Sequence, residues 1–458
     1  MNRKSSRSVV VVGGGVAGLT TAHALLAARP GLDVMVLEAG GRVGGNVRTL
    51  HRDGCTVELG PDAFVTRPGH AESLCRSLGM AQSLVAPDAR ASRVMVARGD
   101  RMDPLPEGMA LGMPRSVTQL VTTRLLSPLG KARAALDLVL PATPGAAESV
   151  GGLIGRRFGR EVKDHLVEPV VGGIYGGDVD ELETAAVLPM FANVQGSLLR
   201  ALARAPAPSG GSPMRAPLGG LEGMVHALVQ AVGADRVLRD VPARRVVRRG
   251  AGWAVHLDGG ARLDVDEVVL AAPPRASAEL IEAEAPALAD TLRRIRLKPA
   301  LTVVLAFARG EVPAPAASGA LIARDTPGPL GALSAVTFVD RKWPGRVADH
   351  LSIVRAAFRP AAATEWIPRG DDAIVAHALE AVRTLLPLPA PRWHAVERFE
   401  TGTPYPEVGH LRRAAECRAL AQALGGVTVV GAGVDGPGIA GCVRGATAAA
   451  EAIAARLA

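Results

Sequence analysis

Four consecutive β-branched residues, Val9, Val10, Val11 and Val12, run straight into Gly13, Gly14, Gly15, Val16, Ala17 and Gly18. No other junction in the chain restricts the fold as much. A continuous apolar run of this kind reads as a strand buried on both faces of a parallel sheet. Gly13, Gly15 and Gly18 have the G-x-G-x-x-G spacing, which serves a tight turn, a close backbone approach to a pyrophosphate, and helix-strand packing. Residues 19–28 read as the helix that follows, with its N-terminal amides aimed at phosphate. Pro30 and Gly31 stop it, and residues 33–37 read as a second strand ending on Glu38. An acid about twenty residues past the last glycine is placed to accept ribose hydroxyls. Strand, turn, helix, strand and acid together predict a dinucleotide cradle.

Beyond Glu38 come Ala39, Gly40, Gly41, Arg42, Val43, Gly44, Gly45 and Asn46. An arginine here can neutralise pyrophosphate, and the glycines let backbone pass close to a ring. This E-x-x-x-R-x-G-G run resembles the flavoprotein superfamily of amine oxidases, phytoene desaturases and porphyrinogen oxidases, and it favours FAD over NAD. Residues 57–64, with Gly60, Pro61, Asp62 and Ala63, read as a short strand entering a turn that brings backbone amides beside a flavin. A second G-x-G-x-x-G stands at Gly431, Gly433 and Gly436 after an apolar run at 427–430. Too little chain follows for another strand and acid, so this copy reads as a helix N-terminus returning to the electron-rich end of the flavin.

With 458 residues the chain exceeds one core, and two or three domains are expected. Net charge is +8, but the arginines are dispersed and aromatics make up only 3%, which argues against nucleic-acid binding. Cys55, Cys75, Cys417 and Cys442 show no C-x-x-C spacing, consistent with a reducing compartment. Residues 1–8 read as a short basic tail, and no apolar run approaches the roughly 18 residues that span a bilayer.

Along the chain, a helix is expected over 68–80 and a hairpin over 93–101, with Arg93 at its entry. Residues 105–204 read as a helical insertion, with helices over 119–126, 131–139 and 150–158 broken by Pro114, Pro128, Pro141 and Pro144. Ordinary amphipathic packing is the first reading of its leucine and arginine faces, with a membrane-surface contact left open. Residues 205–217 read as a flexible loop. Strands are expected at 253–257, 265–272, 301–307, 333–338 and 351–358, and a helix at 373–386. Lys298 is read as a solvated charge just before a strand, His410 as a packed or capped loop residue, and Cys442 as a buried thiol. His51, Arg52 and Asp53 match a kinase loop only superficially, and no metal cluster is visible.

The segment 159–178, containing Glu168, Pro169, Gly172, Gly173, Ile174, Tyr175, Gly176, Gly177 and Asp178, is similar to the E-P-x-x-x-G-V-Y-A-G-D segment of the oxygen-dependent porphyrinogen oxidases of haem biosynthesis. The ending, Gly436, Pro437, Gly438, Ile439, Cys442 and Val443, resembles that family's G-V-G-V-x-x-C-I. Arg341, Lys342, Trp343 and Pro344 resemble its Gram-positive branch. The resemblance implies an α/β architecture: a discontinuous Rossmann-like FAD-binding domain (1–70, 205–275, 426–458), a mixed β-sheet substrate domain (71–104, 276–425) and the helical insertion. It implies FAD contacts at residues 13–18, Glu38, Ala39, Arg42, Gly45, Asn46, residues 60–63, Ala243, Pro437, Gly438 and Ile439. It implies a substrate pocket at Arg93, by charge to a propionate, Gly173 and Tyr175, with no acid-base residue.

The implied reaction takes coproporphyrinogen III, in preference to protoporphyrinogen IX, to the porphyrin by hydride removal, with O2 as acceptor and peroxide as product. The protein is then expected in the cytoplasm as a monomer or homodimer, with a peripheral membrane contact open. Departures at Tyr405, Pro406, Phe399, Gly176, Gly433 and Val434 keep a second reading in view: a relative recruited as an oxidase, desaturase or amine oxidase for another substrate. A NAD-dependent dehydrogenase is disfavoured, and a non-enzymatic flavin scaffold is the remaining class.

Overall fold

The computed structural model describes residues 7–91, 93–142, 148–192, 194–205 and 212–458. Most of the basic tail, Pro144 and part of the loop expected over 205–217 fall outside these residues.

Ser8–Val12 is the central strand of a five-stranded, all-parallel sheet, ordered Val237–Leu238, Asp33–Leu37, Ser8–Val12, Glu267–Leu270, Val427–Val429. The valine run is apolar throughout because both faces are covered. Val9 and Val11 pack with the first helix (Val16–Ala28), Glu222–Val232 and the last helix (Ile439–Arg456). Val10 and Val12 pack with Val246, Trp253 and Val255 of a three-stranded antiparallel sheet and with Pro286–Arg293. The chain order across the sheet reverses at Ser8–Val12, which leaves a crevice at the carboxyl ends of this strand and Glu267–Leu270.

A second sheet has seven strands, ordered Trp393–Pro404, Leu297–Ala308, Leu351–Phe358, Leu333–Phe338, Gly319–Ile322, Val94–Arg98, Arg101–Pro104. All its pairings are antiparallel except Gly319–Ile322 with Val94–Arg98. Alternation divides its strands: Val303, Leu305 and Phe307 face the helix Asp371–Arg383, whereas Val304, Ala306 and Ile353 pack on Cys55 and Val57 of the hairpin Thr49–Arg52/Cys55–Glu58 and on Leu59 just after it. On its other side the hairpin meets the start of Glu222–Val232, where Glu58 accepts the Leu221 N–H at 2.7 Å and the Thr49 hydroxyl accepts the Glu222 N–H at 3.2 Å.

Residues 105–204 fold as short helices around Leu120, Leu153, Ile154, Phe158, Leu166, Leu182 and Leu198. Among the described residues no helix is long and apolar enough to cross a membrane.

Several expected boundaries shift for local reasons. The helix expected over 119–126 is Val117–Thr122, capped by the Ser116 hydroxyl accepting from the Gln119 N–H, and it ends when Thr123 turns extended. The strand expected over 265–272 is two, Arg262–Val265 and Glu267–Leu270. Asp266 separates them because its carboxylate accepts the Ser8 N–H at 2.8 Å and the Arg7 guanidinium at 2.9 Å. Part of the expected 205–217 loop is the strand Met214–Pro217, paired with Phe64–Val65 and Leu84–Val85. The largest surprise is in the 159–178 segment, where Lys163–Gly172 is a ten-residue π-helix containing Pro169. Wide turns of this kind recur at functional sites.

Candidate functional site

The first glycine turn sits at the crevice. Its tightness is compulsory: a Cβ on Gly18 would lie 2.0 Å from the Gly13 carbonyl oxygen. The Glu38 carboxylate accepts the Gly14 N–H at 2.9 Å and the Gly40 N–H at 2.9 Å, so the end of the second strand is fixed to the turn. Val241 donates its N–H to the Glu38 carbonyl at 3.0 Å, which brings the start of Ala243–Arg249 to the same edge.

From this turn a floor of close backbone contacts crosses to the second sheet. Gly44 donates to the Gly14 carbonyl at 2.8 Å and bridges Gly15. Asn46 Nδ2 donates to the Gly402 carbonyl of Trp393–Pro404. A Cβ on Gly60 would lie 2.0 Å from the Asn46 carbonyl oxygen and 3.4 Å from the Phe399 ring. Arg42 braces this floor, donating to the carbonyls of Gly45 (2.9 Å) and Val47 (2.6 Å) and pairing with Glu222 at 3.0 Å. Its charge is thereby shared with Glu222 rather than standing alone.

Under the turn at residues 59–63 lies a group of charges that sequence reasoning did not assemble. Lys342 pairs with Asp62 at 2.7 Å. Arg346 pairs with Glu58 at 3.4 Å, both side chains being 1% exposed. Arg355 donates to the Gly60 carbonyl at 2.6 Å and weakly to that of Leu59. Burial pushes the Glu58 carboxyl up to about 7, against Arg346 and the bonds from Leu221 N–H and the Thr49 hydroxyl. For Asp62 burial acts in the same sense, but Lys342, then Arg355, outweigh it and hold the carboxyl at about 2. The sequence signals for this group were Asp62, within the turn at 60–63, and Lys342, within the stretch at 341–344.

The last helix begins at Ile439 beside the first helix, and Leu19, Leu25, Val443 and Ile453 share one core. Pro437 and Gly438 lead into it. Its entry is fixed by Asp435, which accepts from Gly431 N–H (2.7 Å) and Arg418 (2.9 Å), and burial raises its pKa. Two helix N-termini thus open at the carboxyl end of the parallel sheet.

Across the floor, the π-helix ends in Gly173–Tyr175, and a Cβ on Gly173 would meet Leu321 at 3.6 Å. Leu321 is in register with Val96, so Gly173 and Arg93 flank the same pair of strands. Arg93 is exposed, 3.6 Å from Glu107. The Tyr175 hydroxyl donates to the Val187 carbonyl at 3.3 Å. Glu168 closes the segment by accepting the Val179 N–H at 3.0 Å, and burial raises its pKa.

The reading of Lys298 needs correction. Leu297–Ala308 starts earlier than expected, so Lys298 lies inside the strand. Its ammonium stands 3.3 Å from the centroid of the fully buried Tyr405 ring and 3.6 Å from Glu181, with burial lowering its pKa. The Tyr405 hydroxyl in turn donates to Glu181 at 2.6 Å. His410 is buried at the start of His410–Leu424, and Cys442 is partly rather than fully buried, its surroundings raising the thiol to about 12.

The model of the flavin containing amine oxidoreductase family matches residues 16–454. Among curated proteins, the coproporphyrinogen III oxidase of Bacillus subtilis is 30% identical over 98% of this chain and 98% of its own, and that of Propionibacterium freudenreichii is 32% identical over 97% and 90%. A solved structure from Exiguobacterium sp. 255-15, named as a candidate protoporphyrinogen oxidase, superposes with TM-score 0.87 at 26% identity, covering 99% of each chain. Putrescine oxidase bound to putrescine shares the fold at TM-score 0.72 and 19% identity, over 98% of this chain and 99% of its own. The protein belongs to the flavin-containing amine oxidoreductase family and is an oxidoreductase on the branch of the coproporphyrinogen III oxidases.

Proposed function

We propose that the protein is an FAD-dependent oxidase that converts coproporphyrinogen III to the porphyrin in haem biosynthesis, with O2 as acceptor and hydrogen peroxide as product. The observation that carries this reading is the glycine floor. It runs from the switch-point crevice through Gly44 and Asn46 to Gly60 and to Gly402 of the seven-stranded sheet, a course of backbone that side chains do not cover. Full-length similarity to curated coproporphyrinogen III oxidases supports the substrate.

The residues suit FAD. A Cβ on Gly15 would meet nothing within 4 Å, so the first helix opens freely toward a ligand, and Glu38 stands where a ribose acid is needed. In this reading residues 13–18 hold the pyrophosphate and Glu38 and Ala39 the ribose. Arg42, Gly45, Asn46, residues 60–63 and the backbone at Ala243 line the rest, and Pro437, Gly438 and Ile439 direct the second helix dipole at the flavin. A bound flavin would supply the two-electron acceptor. Arg93 attracts a propionate carboxylate, while Gly173 and Tyr175 orient the macrocycle. The chain divides as 1–70, 205–275 and 426–458 for the cofactor, 71–104 and 276–425 for the substrate, and 105–204 as the covering insertion.

The test is cofactor and acceptor together. Acid release should yield FAD, and oxygen consumption with coproporphyrinogen III should match peroxide formed. Release of another flavin, or porphyrin formed without oxygen uptake, would contradict the proposal.

A further inference from the structure

The shielded charges beneath residues 59–63 do not balance. Glu58 and Asp62 face Lys342, Arg346 and Arg355, and the two contact pairs, Glu58 with Arg346 and Asp62 with Lys342, leave Arg355 over. Among the described residues no carboxylate reaches ion-pair distance of Arg355, and its Nε is buried without a hydrogen-bond partner. A partly buried cation offset only by Asp62, a carboxylate already paired with Lys342, is costly unless further negative charge lies within reach. What Arg355 does touch is the turn itself: the carbonyls of Gly60 and Leu59. On the other side of that turn is the end of the glycine floor, with Asn46, Phe399 and Gly402.

We propose that Arg355 is a positioning residue that holds the 59–63 turn from below and whose charge, only partly offset by Asp62, favours the extra negative charge of a two-electron-reduced flavin lying above it. The inference rests on FAD occupying the floor as proposed above. Its chemistry is electrostatic: a fixed positive charge behind one layer of backbone acts through a low-dielectric medium on charge that develops only on reduction. Asp62 works in the opposite sense, since its carboxylate, held ionised by Lys342, offsets part of the positive charge.

The experiment titrates sodium sulfite, an anionic nucleophile that adds to electron-poor flavins, into the FAD-loaded protein and its variants, and measures the two-electron potential of each against a reference dye. Flavin content is read first from absorbance. Arg355→Gln keeps a donor for the Gly60 carbonyl but removes the charge. It should raise the sulfite Kd about tenfold or more and lower the potential by about 30 mV, the two-electron equivalent of tenfold. Arg355→Lys, which keeps the charge, should restore most of both. Asp62→Asn should shift both quantities the other way, and this variant carries the test alone if Arg355→Gln fails to fold. A purely structural arginine would move thermal stability and leave the potential unchanged. FAD-loaded Arg355→Gln and Asp62→Asn proteins with wild-type sulfite affinity and potential would overturn the inference while leaving the proposed function standing. A wild-type chain that takes up no FAD would overturn both.

Discussion

Lys342 reaches across 280 positions of chain to donate to Asp62 at 2.7 Å. This contact fastens the short helix Val339–Lys342, on the seven-stranded sheet, to the turn that ends the glycine floor. The link is largely shielded from solvent, with side-chain exposures of 14% and 21%, so removing one partner leaves the other poorly solvated.

Lys342→Met should therefore lower stability by about 2 kcal/mol, below the ~3–5 kcal/mol of a fully buried pair because some water remains. Urea unfolding with flavin absorbance measures it. Adding Asp62→Asn should recover part of the loss, since the stranded carboxylate is then gone.

Glu58 gives a pH signature. Its folded pKa is about 7 against an ordinary 4.5, so between these values the native state holds a proton that the unfolded chain has released. Stability from this group is full below pH 4.5 and falls as pH rises to about 7, by roughly 3 kcal/mol in all. Glu58→Gln should remove that slope, seen as a difference between the two proteins in denaturant unfolding across this window. Asp62 behaves oppositely: its contribution is present above the ordinary 3.8 and is lost as pH falls toward about 2.

Gly60→Ala should empty the floor. The added methyl would sit 2.0 Å from the Asn46 carbonyl, and relieving that overlap costs about 1–3 kcal/mol of local rearrangement. Flavin absorbance of the purified variant should fall at least about tenfold, as expected for roughly 1.4 kcal/mol or more of lost affinity. Full occupancy would show that the backbone here is not a ligand surface.

Lys298→Met should cost about 1 kcal/mol, in line with a half-buried cation over an aromatic ring, and leave flavin content and porphyrin formation close to wild type. Its ammonium is engaged by Tyr405 and Glu181. Loss of turnover with full flavin would put the lysine into the chemistry and favour an amine oxidase mechanism.

What could be read from the sequence is what lies close together in it. Gly13, Gly15, Gly18 and Glu38 belong to one strand-helix-strand unit, and each obeys a local rule that the structure repeats. The second helix N-terminus at Ile439 was legible for the same reason. The buried charges were not, because Glu58, Asp62, Lys342, Arg346 and Arg355 come from two distant segments and none has a distinctive spacing. Lys298 was misread because Leu297 and Lys298 gain strand geometry only by pairing with Pro404 and Thr403. The π-helix around Pro169 has no periodic signature that separates it from an ordinary helix.

The central claim, that the glycine floor holds FAD for porphyrinogen oxidation, is tested most directly by porphyrin fluorescence. The purified yellow protein is mixed in air with coproporphyrinogen III, with protoporphyrinogen IX and a protein-free control in parallel. The expected result is emission rising well above the control, faster with coproporphyrinogen III, and accompanied by peroxide. An FAD-loaded protein whose emission follows the protein-free control with both compounds would contradict the account and point to another substrate for the same fold.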